Sequence, residues 1–115
     1  MPHCIIEYSR EIEKLVEPIK LINAVYQGAL ESGLFKDEDI KTRSIAYDSY
    51  QSGSIKKAFV HVMVKIFSGR NLEQRKTLTD LILSQLKTID FPSTLLTVEV
   101  VEIEKESYAK VEIQI

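Results

Sequence analysis

The chain has 115 residues, 44% hydrophobic and 28% charged, which is the make-up of one compact domain rather than of two domains or a disordered segment. Fifteen Lys and Arg against 17 Asp and Glu leave a net charge of −2, which argues against nucleic-acid binding by bulk electrostatics. No stretch approaches the roughly 18 apolar residues that span a bilayer, so no membrane partner is expected, and the lone Cys4 can form neither an internal disulfide nor a multi-cysteine zinc site.

The first segment, residues 2–8 (PHCIIEY), is short, apolar and β-prone, and reads as a strand ending at Ser9. Ile12, Leu15, Val16, Ile19, Ile22 and Tyr26 then recur at three- and four-residue spacing, a helical stripe through about Glu31 that Gly33 ends. Pro18 interrupts that stripe, because it lacks an N–H and clashes with the preceding turn; a short irregular turn over 10–16 with the main helix starting at Pro18 resolves the conflict. Residues 40–50 place Ile45, Tyr47 and Tyr50 among polar residues and lead into Gln51-Ser52-Gly53-Ser54, which suggests a second strand and a hairpin loop.

Residues 58–67 (AFVHVMVKIF) form the clearest strand. Ala58, Val60, Val62, Val64 and Ile66 share one face, while Phe59, His61, Met63, Lys65 and Phe67 share the other, so both faces should be partly buried. Ser68-Gly69-Arg70 is a turn. Asn71 and Gln74 then have capping-box spacing, opening a second helix with Leu78, Leu81, Ile82, Leu86 and Ile89 on one stripe. Asp90-Phe91-Pro92 breaks this helix, residues 95–104 read as a strong last strand, and 108–115 (YAKVEIQI) alternate as a terminal strand or arm does.

The order β-α-β-β-α-β predicts an α+β domain spanning residues 1–115. It consists of two βαβ units, about 2–54 and 55–115, in one mixed four-stranded sheet with both helices on one face. A chain this short has no second layer for the other, partly apolar face, so a homo-oligomer is expected.

The sequence has no phosphate loop, dinucleotide fingerprint, HExxH, CxxC or GxSxG, and no metal site is expected. His3 and His61 read as packed or hydrogen-bonded strand histidines without nearby acidic ligands, Cys4 as an inert core thiol, and Glu102, Glu104 and Glu106 as a solvated face. Pro2 is different. Removal of Met1, favoured by the small penultimate residue, leaves a rigid secondary amine at the start of a strand, and burial together with nearby cations lowers the pKa of such an amine.

Three stretches carry a family likeness: Met1-Pro2-His3 with the strand ending Ile6-Glu7-Tyr8, the run Lys57-Ala58-Phe59-Val60-His61-Val62, and the run from Lys65 through Gly69-Arg70 and Gln74 to Arg75. Together they resemble the 5-carboxymethyl-2-hydroxymuconate isomerase family of the tautomerase superfamily, to which 4-oxalocrotonate tautomerase also belongs. The likeness spans nearly the whole chain and is weakest over 9–39 and 105–115.

The N-terminus has no signal-peptide pattern and the single cysteine fits a reducing compartment, so a cytoplasmic location is expected, and the resemblance implies a trimeric isomerase of aromatic-compound catabolism that uses no cofactor. It would move a proton along a small-molecule carboxylate, a conjugated 2-hydroxydienoate or 2-oxo acid. It places Pro2 at the catalytic position and Arg70 at an arginine that binds a substrate carboxylate or carbonyl oxygen. A second family arginine falls in Ile40-Lys41-Thr42-Arg43, where Lys41 aligns first and Arg43 lies on the same strand face. Lysine holds a carboxylate as a point charge, without arginine's two-pronged geometry. Two other readings stay open: an enzyme of this fold with a different substrate, and a non-catalytic oligomeric binding protein.

Overall fold

A computed structural model describes all 115 residues. In chain order the elements are β1 (His3–Ser9), a 3-10 turn (Arg10–Lys14), α1 (Pro18–Glu31), β2 (Lys41–Tyr47), β3 (Ala58–Phe67), α2 (Leu72–Leu86) and β4 (Thr94–Ile103). The strands form one sheet in the order β2-β1-β3-β4. β1 runs parallel to β2 and β3 parallel to β4, while the central pair β1 and β3 is antiparallel. This is the mixed sheet of two β-α-β arrangements with two helices that the residue pattern predicts.

The alternation of side chains along the central strands decides which face the helices cover. Cys4, Ile6 and Tyr8 of β1 and Val60, Val62, Val64 and Ile66 of β3 point to one side and are buried against Leu21, Val25 and Ala29 of α1 and Leu78, Ile82 and Leu86 of α2. Burying each such Val, Leu or Ile contributes on the order of 1.5–3 kcal/mol. The helices approach closely at Gly28, where a Cβ would lie 2.6 Å from the Ile82 Cα; only glycine admits that packing. α2 begins as its sequence predicts, with Asn71 Oδ1 accepting from Gln74 N at 2.8 Å and Gln74 Oε1 accepting from Asn71 N at 3.0 Å.

Two expectations are corrected. The stripe drawn from Ile12 to Tyr26 does not describe one helix face: Leu15 and Ile19 are 68% and 52% exposed, and the buried positions of α1 are Leu21, Ala24, Val25, Gly28 and Ala29. Pro18 is the cause. The helix starts there, so the angular phase of the residues before it is lost, and Ile12 and Val16 reach the core from the 3-10 turn instead. The second correction concerns the hairpin, because β2 and β3 are not neighbours: β1 lies between them, and the connection crosses its end. Gln51-Ser52-Gly53-Ser54 is a local tight turn closed by Ser52 and Ile55, with Gly53 at φ 63°. Of the strand or arm expected over 108–115, the structure has the arm, since these residues form no strand.

Candidate active site

The parallel pairing of β1 with β2 sets His3 opposite Lys41, so the chain start and the start of β2 lie side by side. Pro2 is fully buried there, and its carbonyl accepts from Lys41 N at 3.0 Å. The Met1 amine donates to the Asp39 carbonyl at 2.9 Å, and Lys41 Nζ donates to the same oxygen at 3.2 Å. Two cations thus share one neutral acceptor. Desolvation, and then the neighbouring Lys41 ammonium, lower the pKa of the terminal amine, with Asp39 opposing.

Because β3 runs antiparallel to β1, its end arrives where β1 starts. The chain leaves β3 through Gly69, whose φ of 122° excludes ordinary side chains, and this turn delivers Arg70. Arg70 Nη2 donates to the Leu34 carbonyl at 2.9 Å, and the guanidinium lies 5.8 Å from the centre of the Phe35 ring. It has no carboxylate partner; the ion pairs of the chain are Arg10 with Glu13 and Asp48, His61 with Glu99, and Lys76 with Asp80.

Met1, Lys41 and Arg70 line a single cleft of about 880 Å³, which the arm also lines through Tyr108, Lys110, Val111 and Glu112. Its cations are the Met1 amine, Lys36, Lys41, Arg70, Lys105 and Lys110; its carboxylates are Asp39 and Glu112. On a chain of net charge −2, such a concentration of positive charge suits an anionic small molecule. Arg43 is on the same strand face as Lys41 but does not line the cleft; its Nη1 lies 3.1 Å from His3 Nδ1.

The comparisons with known proteins bear on this arrangement. A family model described as 5-carboxymethyl-2-hydroxymuconate isomerase matches residues 2–114. The chain belongs to that family. It is an isomerase on the tautomerase fold. Among solved structures, a 5-carboxymethyl-2-hydroxymuconate delta-isomerase superposes with TM-score 0.81 at 14% identity, covering 97% of this chain and 89% of that one. A 5-carboxymethyl-2-hydroxymuconate isomerase from Deinococcus radiodurans R1 gives 0.80 at 21% identity over 97% and 90%. A fused 4-OT described as a wild type symmetric trimer gives 0.76 at 15% identity over 94% and 90%. A search of curated proteins finds no match.

The structure of this isomerase also shows what reading along the sequence missed. His61 does have an acidic neighbour: Nε2 lies 2.5 Å from Glu99 Oε2 and Nδ1 lies 2.7 Å from Thr97 Oγ1, both on β4. Strand register, invisible along the chain, makes that pairing. The cleft side chains of the arm were missed for a similar reason. Alternation in YAKVEIQI signals an extended segment, but nothing in it says that the segment returns to the start of β1.

Proposed function

We propose that this isomerase shifts a proton along a conjugated 2-hydroxydienoate or 2-oxo acid, with 5-carboxymethyl-2-hydroxymuconate as substrate and no cofactor. Pro2 is the general base once Met1 is removed. Arg70 stabilises the oxygen that becomes negative in the enolate-like transition state, and Lys41 holds a carboxylate. The observation that carries this reading is the cationic cleft at the start of β1, with an unpaired guanidinium beside the chain terminus. Proton removal next to a carbonyl builds charge on oxygen, and fixed cations lower the barrier to it. The same surroundings keep an amine at this place neutral more of the time, as the lowered pKa of the Met1 amine illustrates.

With Met1 attached, the Pro2 nitrogen is an amide and cannot take the proton, so processing is the condition for activity. The experiment is an intact mass measurement joined to an ultraviolet assay of 2-hydroxymuconate on the same preparation. A mass lacking methionine together with turnover is expected. Retained Met1, or a trimmed protein with no turnover, overturns the proline mechanism and favours the binding protein.

The assembly is proposed to be a homotrimer of single-domain subunits, each built of two βαβ units. The sheet face away from the helices carries Phe59, Met63, Phe67 and Leu95, with Leu95 52% and Ile45 47% exposed, and the fused 4-OT relative is a trimer. Sedimentation of a stable monomer at micromolar concentration would count against it.

A further inference from the structure

Three side chains, of which Tyr108 lines the cleft, form a chain of hydrogen bonds that the proposed mechanism does not use. Arg43 Nη1 lies 3.1 Å from His3 Nδ1, and His3 Nε2 lies 2.8 Å from Tyr108 Oη. A guanidinium only donates, so Nδ1 must offer its lone pair. A neutral imidazole has one proton, which is then on Nε2 and is donated to the tyrosine oxygen. Tyr108 Oη makes no other hydrogen bond in the chain, and its residue lines the cleft, so its own O–H is free to donate to whatever the cleft holds. Remove the guanidinium and the opposite arrangement becomes available: Tyr108 donates to Nε2, and its proton turns away from the cleft.

The neighbourhood keeps His3 in the neutral form this requires. Desolvation lowers its pKa first, and the charges acting on it are all positive: Arg43 and Lys41 from β2, Lys65 from β3 and the chain terminus. From the arm it faces Tyr108, whose ring is held edge-on against Phe67 at 5.1 Å between centroids.

We propose that Tyr108 donates a hydrogen bond to the substrate oxygen on which charge develops, and that Arg43 is a positioning residue that aims this proton through His3 rather than a ligand of the substrate. The inference rests on the isomerase reading of the cleft. It gives the arm a role in the reaction, and it separates Arg43 from Lys41.

The test uses the full-length, trimmed protein with 2-hydroxymuconate as probe. Tyr108→Phe keeps the ring on Phe67 and should lower kcat about 100-fold, as loss of a preorganised donor does. Arg43→Met should lower kcat about tenfold when Tyr108 is present, and the double variant should fall no further than Tyr108→Phe alone, because the two residues act as one unit. Imidazole nitrogen NMR should show His3 protonated at Nε2 in the wild type and mixed tautomers in Arg43→Met, independently of activity. Unchanged kcat in Tyr108→Phe overturns the inference, as does a His3 proton on Nδ1. A rise in KM on loss of Arg43 that persists without the Tyr108 hydroxyl also overturns it, since Arg43 then touches substrate directly. Absence of wild-type turnover instead overturns the isomerase reading itself.

Discussion

The two ends of the sheet are built alike, yet they differ in chemistry. Because β1 and β3 are antiparallel, one parallel pair starts at one end and the second pair starts at the other. Each end has a cleft, about 880 Å³ beside Met1 and about 760 Å³ beside Lys57 and Ala58, and each has an arginine in the turn that follows a central strand. Both clefts are basic, the second through Lys14, Lys56 and Lys57 against Glu11, so charge alone does not separate them.

Two details do. At the first end β1 begins beside the Met1 amine, where the proposed removal of Met1 would expose the Pro2 secondary amine, whereas β3 begins inside the chain with a peptide nitrogen. Arg70 rests on a carbonyl and an aromatic ring, whereas Arg10 lies 2.7 Å from Asp48 and 3.6 Å from Glu13 and is neutralised. A fold of this symmetry offers two places for a site, and the terminus and the unpaired guanidinium are the grounds for proposing the first.

The largest effect is expected at the terminus. Pro2→Ala replaces a rigid secondary amine with a primary one of different basicity and freer φ. It should reduce kcat by about 10² to 10⁴, with a modest change in KM. Unchanged turnover would remove the feature that distinguishes the two ends.

Next comes the pair of arginines. Arg70→Ala should lower kcat and raise KM together, a loss of roughly 2.7 to 4 kcal/mol in transition-state binding, as for an oxyanion donor. Arg10→Ala should leave kcat/KM near the wild-type value and change only surface electrostatics, where solvent screens an exposed pair. Equal losses at both arginines would mean that the second cleft also takes part.

How much of this could be read along the chain follows from the range of each interaction. Alternation in 58–67 and the Asn71 and Gln74 spacing are local, and β3 and the start of α2 form where those patterns place them. The buried face of α1 was not legible, since Pro18 breaks the phase that the periodic pattern carries across it. Pro2, Lys41 and Arg70 stood out as residue types, but the cleft that Lys41 and Arg70 share with Met1, next in the chain to the buried Pro2, comes from strand order, and so does the separation of Arg43 from it. His61 with Glu99 and His3 with Tyr108 depend on register and on the path of the arm, which no local pattern encodes.

A smaller effect is expected at Lys41. If it holds a remote carboxylate, Lys41→Met should raise KM about tenfold with little change in kcat. The rise should be larger for a substrate with an extra carboxylate than for a simple 2-oxo acid. Steady-state kinetics on two such substrates checks this, and equal effects on both would show that Lys41 does not read the extra charge.

The smallest effect concerns stability, and it distinguishes the two ends of β1. Cys4, near the terminus, has its thiol pKa pushed up to about 11, chiefly by desolvation, against an ordinary 9.0. Tyr8, at the other end, is pushed up to about 12 from 10.0 by desolvation and then by its hydrogen bond to Glu13. In both cases the fold favours the protonated, neutral form. The stabilisation is therefore complete below the unfolded pKa and is lost as pH rises through the folded one, over pH 9 to 11 for Cys4 and pH 10 to 12 for Tyr8. Each group contributes a slope of at most about 1.4 kcal/mol per pH unit. Denaturant midpoints measured from pH 7 to 11 should stay level and then fall from about pH 9. Cys4→Ala should delay the fall by about one pH unit, because Tyr8 and the other tyrosines with raised pKa, Tyr26, Tyr47 and Tyr50, begin to titrate in the unfolded chain only near pH 10. A wild-type midpoint that stays level to pH 11 would show that neither group is protonated preferentially in the fold, and an undelayed fall in Cys4→Ala would place its origin away from the thiol.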